Sequence, residues 1–132
     1  MYLIDTNVLL EFLLDQQKAD DVARFLSATA PVDRFLTEFS LYSLGVILVQ
    51  RRRPEALLRV IDDVITRGRV QIIRLRADEI RDVVRACEQF NLDFDDAYQY
   101  AAAEKHDLTL VSFDTDFDRT ERGRKEPGQL LS

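Results

Sequence analysis

Apolar residues along the chain come in two rhythms. Short runs such as "YLI" and "TLV" stand alone, while longer stretches carry apolar residues every three to four positions. The short runs read as strands and the longer stretches as amphipathic helices. On that basis residues 2–5 form a strand, followed by helices over about 6–14 and 17–29. "DRFLT" (33–37) is a second strand and leads into a long helix, 38–50. Pro54 suits the first turn of the next helix, which runs to Gly68. "VQIIRL" (70–75) is a third strand, followed by a helix from Ala77 or Asp78 to about Phe90. Asp93 or Asp95 caps a further helix reaching His106, and "LTLVS" (108–112) is the fourth strand, before a polar tail.

Strands alternating with helices predict an α/β domain with a mostly parallel sheet of four to five strands. Parallel neighbours need helical crossovers, which places helices on both faces and makes three layers. The working pocket of such a sheet lies beyond the carboxyl ends of its strands. The 132 residues suit a single domain, 1–132, with no repeat, low-complexity tract or Pro/Gly/Ser linker. No apolar run approaches the roughly 18 residues needed to span a membrane. "MYLIDTN" lacks the basic region and cleavage site of a signal peptide, so the expectation is a cytoplasmic protein with no membrane partner.

Charge changes the picture only a little. The net charge of −6 speaks against a nucleic-acid partner, but the basic residues are 15 Arg and 3 Lys. Arg is the better fork for phosphate oxygens, and acids sequestered in one pocket would leave the remaining surface less acidic. Cys87 falls in an apolar helical stripe and reads as a buried structural thiol. His106 is the only histidine, which excludes a two-histidine ribonuclease mechanism; at a helix C-terminus it reads as structural.

The candidate chemistry is carboxylate chemistry. "LTLVSFDTDFDR" runs a core strand into Asp114, Asp116 and Asp118. Asp5 directly follows "YLI", Glu38 follows "RFLT", and Asp96 opens the "DDAYQYAAA" helix. Taken singly, each Asp is a helix cap; Glu is a poor one, and Asp118 reads as surface. Taken together, four distant segments each deliver an acid to a strand end or helix start, positions that one sheet edge would gather. Hard cations such as Mg²⁺ or Mn²⁺ take oxygen ligands of this type.

Those acids in the contexts "IDTN", "LTEFS", "DDAYQYAAA" and "LVSFDTDF" make the chain resemble the PIN-domain family over essentially its whole length. It is most similar to the VapC-like toxin ribonucleases of toxin–antitoxin modules. The resemblance implies a PIN-like three-layer α/β/α fold and a catalytic quartet of Asp5, Glu38, Asp96 and Asp114. It implies metal contact by Asp5, Asp96, Asp114 and the further acid Asp116, with Thr6, Asn7 and Ser112 in support. Asp96 rather than Asp95 is the family position, being the acid directly before Ala. Glu38 either binds the ion or holds the attacking water. The implied activity is Mg²⁺- or Mn²⁺-dependent hydrolysis of RNA, with a small antitoxin protein as partner and a homodimer as assembly.

Other readings stay open. A PIN-type domain can be a silent binding module, or a DNA or RNA-processing nuclease outside any toxin pair. A topoisomerase-primase-like site would use Glu38 and "DTD" but leave Asp5 and Asp96 idle. A phosphatase of the Asp-x-Asp class would need a second Asp where "DTN" has none. Arg119, Arg122 and Arg124 follow the acidic strand end and are candidates for RNA-backbone contact. Arg51, Arg52 and Arg53 read as a solvated helix end. The helix "EFSLYSLGVILVQ" is apolar nearly all round, so a surplus among Leu41, Tyr42, Leu44, Leu48 and Val49 marks a partner surface. Tyr98 and Tyr100 read as packing.

Overall fold

The computed structural model of the protein describes residues 1–131. Its strands are β1 (Tyr2–Ile4), β2 (Arg34–Thr37), β3 (Gln71–Ile73) and β4 (Thr109–Val111). Its α-helices are α1 (Thr6–Leu13), α2 (Ala19–Ala28), α3 (Glu38–Gln50), α4 (Pro54–Arg59), α5 (Ile80–Phe90) and α6 (Phe94–His106). All four strands are parallel, in the order β3-β2-β1-β4. Each predicted strand is present and shorter than its apolar run, because the end residues of the runs lie outside the ladder.

Topology decides which helices cover which face. The chain steps from β1 to β2 to β3 in one direction, then returns past β1 to add β4. Right-handed crossovers in opposite directions must lie on opposite faces. Accordingly α1 to α4 contribute Val8, Leu9, Leu13, Val22, Phe25, Leu44, Leu48 and Ala56 to one core, joined by Val60 just after α4. α5 and α6 contribute Val83, Ala86, Ala97, Tyr98 and Ala102 to the other. Successive strand residues divide between them: Leu3, Phe35 and Leu110 face the α5–α6 side, while Ile4, Leu36 and Val111 face the α1–α4 side. This is the apolar-on-both-faces pattern of a buried parallel strand. The result is a helix–sheet–helix sandwich.

The stretch predicted as one helix from Pro54 to Gly68 is not uniform. After α4 the chain widens into a π-helical segment, Val60–Arg67. Its wide turn closes where the Gly68 amide donates to the Asp63 carbonyl, five residues back, at 3.0 Å. Glycine at 68 is needed for room, not for left-handed backbone: its φ is −75°, and a Cβ there would collide with the Val64 carbonyl oxygen. Arg34 pins the turn from the sheet, donating to the Gly68 carbonyl at 2.7 Å and to the Leu26 carbonyl at 3.2 Å. α5 and α6 end on left-handed caps, Asn91 and Asp107, the residue types that tolerate positive φ best after glycine.

The tail folds back along β4. Lys125 donates its amide to Leu110 and accepts from the Ser112 amide, which covers the outer edge of β4 just before the acidic loop. Cys87 is half-buried, not buried as predicted, because it stands at the margin of the α5 stripe while Val83 and Ala86 point inward. His106 is exposed.

α3 corrects the expected surface surplus. Ser40, Leu44 and Leu48 are its buried stripe, so Leu44 and Leu48 are core. The exposed apolar residues are Tyr42 at 62 %, Val46 at 58 % and Val49 at 59 %. A paired test follows from this division. Leu48→Ala should lower unfolding free energy by about 2–5 kcal/mol, through lost burial and the cavity left behind. Val49→Ala, one position on, should change it by less than about 0.5 kcal/mol. Urea unfolding of both variants would check the assignment of faces.

Candidate metal centre

β1 is the strand from which the order reverses, with β2 on one side and β4 on the other. The crevice outside the carboxyl ends at such a switch point is where open α/β sheets place ligands. Asp5 directly follows β1, and Asp114 lies just beyond β4. α6 runs back towards β4, so its N-terminal turn, with Asp95 and Asp96, opens at the same edge. α3 likewise starts there, directly after β2.

Asp5 is the buried anchor, 5 % exposed. It caps α1, its Oδ1 accepting from the Thr6 amide at 2.9 Å and from Gln99 Nε2 at 3.1 Å. Its Oδ2 accepts from Ser112 Oγ at 2.7 Å and, more weakly, from Asn7 Nδ2 at 3.4 Å. Ser112 Oγ in turn accepts from Asn7 Nδ2 at 3.1 Å and from the Asp114 amide at 3.0 Å. The Asn7 carbonyl oxygen takes the Phe113 amide at 3.1 Å. Thr6 donates its hydroxyl to Ser40 Oγ at 2.9 Å. Thr6, Asn7 and Ser112 therefore lock the end of β1, the start of α3 and the end of β4 together. Burial pushes the Asp5 carboxyl up; hydrogen bonds from Ser112, Gln99 and Thr6 oppose this, and the charge of Asp114 adds to it.

The second layer of acids is less confined. Asp96, Asp114 and Asp116 each offer a carboxylate oxygen, and these atoms lie within 4.8 Å of one another. Asp93, Asp95 and Asp96 make a second such group on the solvent side, with Asp96 shared. Asp114 caps a 3₁₀ turn (Thr115–Arg119), accepting from the Asp116 amide at 2.9 Å, which aims both side chains to one side. The Asp96 carboxyl is pushed up to about 8, first by burial, then by the negative charges of Asp114, Asp95 and Asp5. A hydrogen bond to Asp114 also favours its protonated form. Near neutral pH Asp96 therefore keeps a proton that a cation would displace. Three hard oxygen donors at this separation fit a divalent ion of the Mg²⁺ or Mn²⁺ type.

Glu38 is placed differently. It is half-buried in the first turn of α3, and among the described residues its carboxylate belongs to neither acidic group. Asp118 is exposed and pairs with Arg124 at 3.1 Å. The three arginines of the tail are all engaged with the protein. Arg119 pairs with Asp116 at 3.0 Å and donates to the Phe90 and Asn91 carbonyls. Arg122 holds Asp107 and the Leu108 carbonyl. Arg124, its side chain 11 % exposed, donates to the Ser112 carbonyl, Asp118 and Glu126. Tyr98 and Tyr100 are buried, and Tyr98 stacks on Phe39 with ring centroids 5.0 Å apart.

Sequence reasoning passed over Thr37, Ser40 and Gln99, which form a buried polar network behind Asp5. The available signal was Gln99 itself, a polar residue inside the apolar run "AYQYAAA" and one turn beyond Asp96. In front of the acids a cleft of about 580 Å³ opens between α1 and α3, with Leu10, Phe39, Tyr42, Val46 and Ile47 as its apolar wall.

The chain matches the PIN domain family over residues 2–123, and it belongs to that family. No curated protein sequence matches it. Solved structures match its fold at low identity. FitAcB from Neisseria gonorrhoeae is 21 % identical with a TM-score of 0.74, over 98 % of this chain and 100 % of that one. The toxin VapC20 of Mycobacterium tuberculosis, which cleaves the sarcin–ricin loop, is 15 % identical with a TM-score of 0.76, over 89 % and 93 %. VapBC2 from Rickettsia felis, bound to a promoter DNA fragment, is 19 % identical with a TM-score of 0.75, over 95 % and 96 %.

The Asp96 shift has a measurable consequence. An acid whose carboxyl sits near 8 when folded, against an ordinary 3.8, keeps a proton that the unfolded chain releases. Its contribution to stability is thus present at low pH and lost as pH climbs through about 8. In EDTA, Asp96→Asn should gain thermal stability relative to wild type as pH rises from roughly 5 to 9. Parallel melting curves with no divergence would contradict a perturbed Asp96.

Proposed function

We propose that this protein is a Mg²⁺- or Mn²⁺-dependent endoribonuclease acting as the toxin of a toxin–antitoxin pair. The observation that carries the reading is the carboxylate trio of Asp96, Asp114 and Asp116 at the switch-point edge, with Asp5 locked behind it. Membership of the PIN domain family supports it. So does the likeness in fold to a sarcin–ricin-loop-cleaving toxin and to toxin–antitoxin complexes.

In this reading Asp96, Asp114 and Asp116 hold the cation, with Asp5 contributing from behind. When bound, the ion would lower the pKa of a coordinated water and offset charge on the phosphodiester. The chain's own residues do the rest. Asn7 and Ser112 keep Asp5 in place, and the helix dipole of α6 tolerates the anion at Asp96. Glu38, outside both acidic groups, is assigned to the attacking water and not to the ion. Arg119, with its side chain 45 % exposed beside Asp116, is the arginine best placed to meet an RNA phosphate. Arg122 and Arg124 share that role only secondarily, since they also staple the tail.

The apolar cleft wall supports a protein partner. Tyr42 and Val46 stand exposed on α3 and line the same cleft as the acids, together with Phe39 and Ile47, and Val49 is exposed further along the helix. We assign this surface to the homodimer contact and to a segment of the small antitoxin.

The test is cleavage of an RNA panel with Mg²⁺, Mn²⁺ or EDTA. Asp96→Asn and Asp114→Asn should lower kcat by roughly 100-fold or more, as for loss of a group stabilising transition-state charge by ~3 kcal/mol. Glu38→Gln should lower kcat while leaving Mn²⁺ affinity unchanged. Arg119→Ala should reduce the salt dependence of RNA binding by about one phosphate contact. Cleavage surviving in Asp96→Asn would reject the site. Partner binding with no cleavage of any RNA would identify a silent binding module instead.

A further inference from the structure

Behind Asp5 lies a polar side chain that the proposed chemistry does not use. Gln99 is 3 % exposed, in the middle of α6, one turn from Asp96. Its Nε2 donates to Asp5 Oδ1 at 3.1 Å and to Ser40 Oγ at 2.8 Å, and its Oε1 accepts from Thr37 Oγ1 at 2.7 Å. Thr37 Oγ1 already accepts the Ser40 amide at 2.9 Å, so its proton is free to go to Gln99. That fixes the amide's orientation: turned over, it would set a carbonyl oxygen against the Asp5 carboxylate. One side chain thus joins α6, the start of α3 and the residue that ends β1.

We infer that Gln99 is a positioning residue of the metal centre, acting through Asp5. With the Thr6 amide it occupies Oδ1 fully. Oδ2, on the side of Ser112 and the Asp114 amide, keeps only one short contact, its bond to Asn7 being 3.4 Å long. Gln99 therefore fixes the rotation of the Asp5 carboxylate, anchoring Oδ1 and leaving Oδ2 with the single short bond from Ser112. Its donors are neutral, so it orients the anion without cancelling the charge a cation would need. The inference rests on the metal-centre reading above.

Isothermal titration of Mn²⁺ into the EDTA-stripped full chain tests it without any turnover. Gln99→Met removes the amide at nearly constant length and should weaken Mn²⁺ binding roughly 10-fold, as for loss of a hydrogen bond that orients a ligand. Leu48→Ala, which loses stability in the opposite core, should leave the affinity at the wild-type value. An unchanged affinity in Gln99→Met, or an equal loss in Leu48→Ala, would overturn the inference. Should Gln99→Met fail to unfold cooperatively, Gln99→Asn, whose amide stops one methylene short, takes its place with the same expected loss. RNA cleavage is scored separately: wild type that binds Mn²⁺ but cuts no RNA rejects the nuclease and leaves the Gln99 result readable. Wild type that binds no Mn²⁺ overturns both.

Discussion

Mutual repulsion among Asp5, Asp96 and Asp114 is the constraint around which the rest of the molecule is arranged. Asp5 and Asp96 are driven upward in pKa by burial and by their neighbours' charge, and Asp96 reaches about 8. Such a group persists only where other interactions hold it together. Asp5 is held by four neutral donors, Asp96 by the first turn of α6, and Asp114 by the 3₁₀ turn it caps. None of these is a cation. The field in the cleft therefore stays negative, which is what a divalent ion would meet.

The sheet order explains why these particular residues share the burden. Because β4 returns to the far side of β1, the ends of the first and last strands become neighbours, and the Asp5 amide donates to the Val111 carbonyl at 2.9 Å. Ser112, one residue on, then reaches both Asp5 and the Asp114 amide with a single hydroxyl. The tail reinforces the same spot from outside, where Arg124 binds the Ser112 carbonyl and Lys125 extends the β4 ladder. A segment that looked like a basic patch is in large part a brace for the acidic loop.

α3 serves two purposes along different faces. Ser40, Leu44 and Leu48 bind it to the site and the core, while Tyr42 and Val46 remain in solvent along the cleft and Val49 is exposed beyond it. A helix apolar on nearly all sides is unfavourable in water unless something covers its outer face. That exposed face adjoins the acids, so a partner lying on it would also shadow the centre.

Much of this was readable from residue order alone. Short apolar runs marked every strand and 3.6-residue periodicity nearly every helix, the inner strands because burial on both faces requires apolar residues throughout. The acids at strand ends marked the candidate site, because parallel sheets gather those ends. Three things needed the tertiary structure. The π-helical Val60–Arg67 looks helical in pattern, and its widening is set by contacts at Gly68 and Arg34. Which acids share a group was set by packing: Asp96 joins Asp114 and Asp116, while Glu38, in the first turn of α3, joins neither group among the described residues. Gln99 meets Asp5 across 94 residues, a contact with no local signature. Local pattern determines which elements form; only their packing decides which side chains meet.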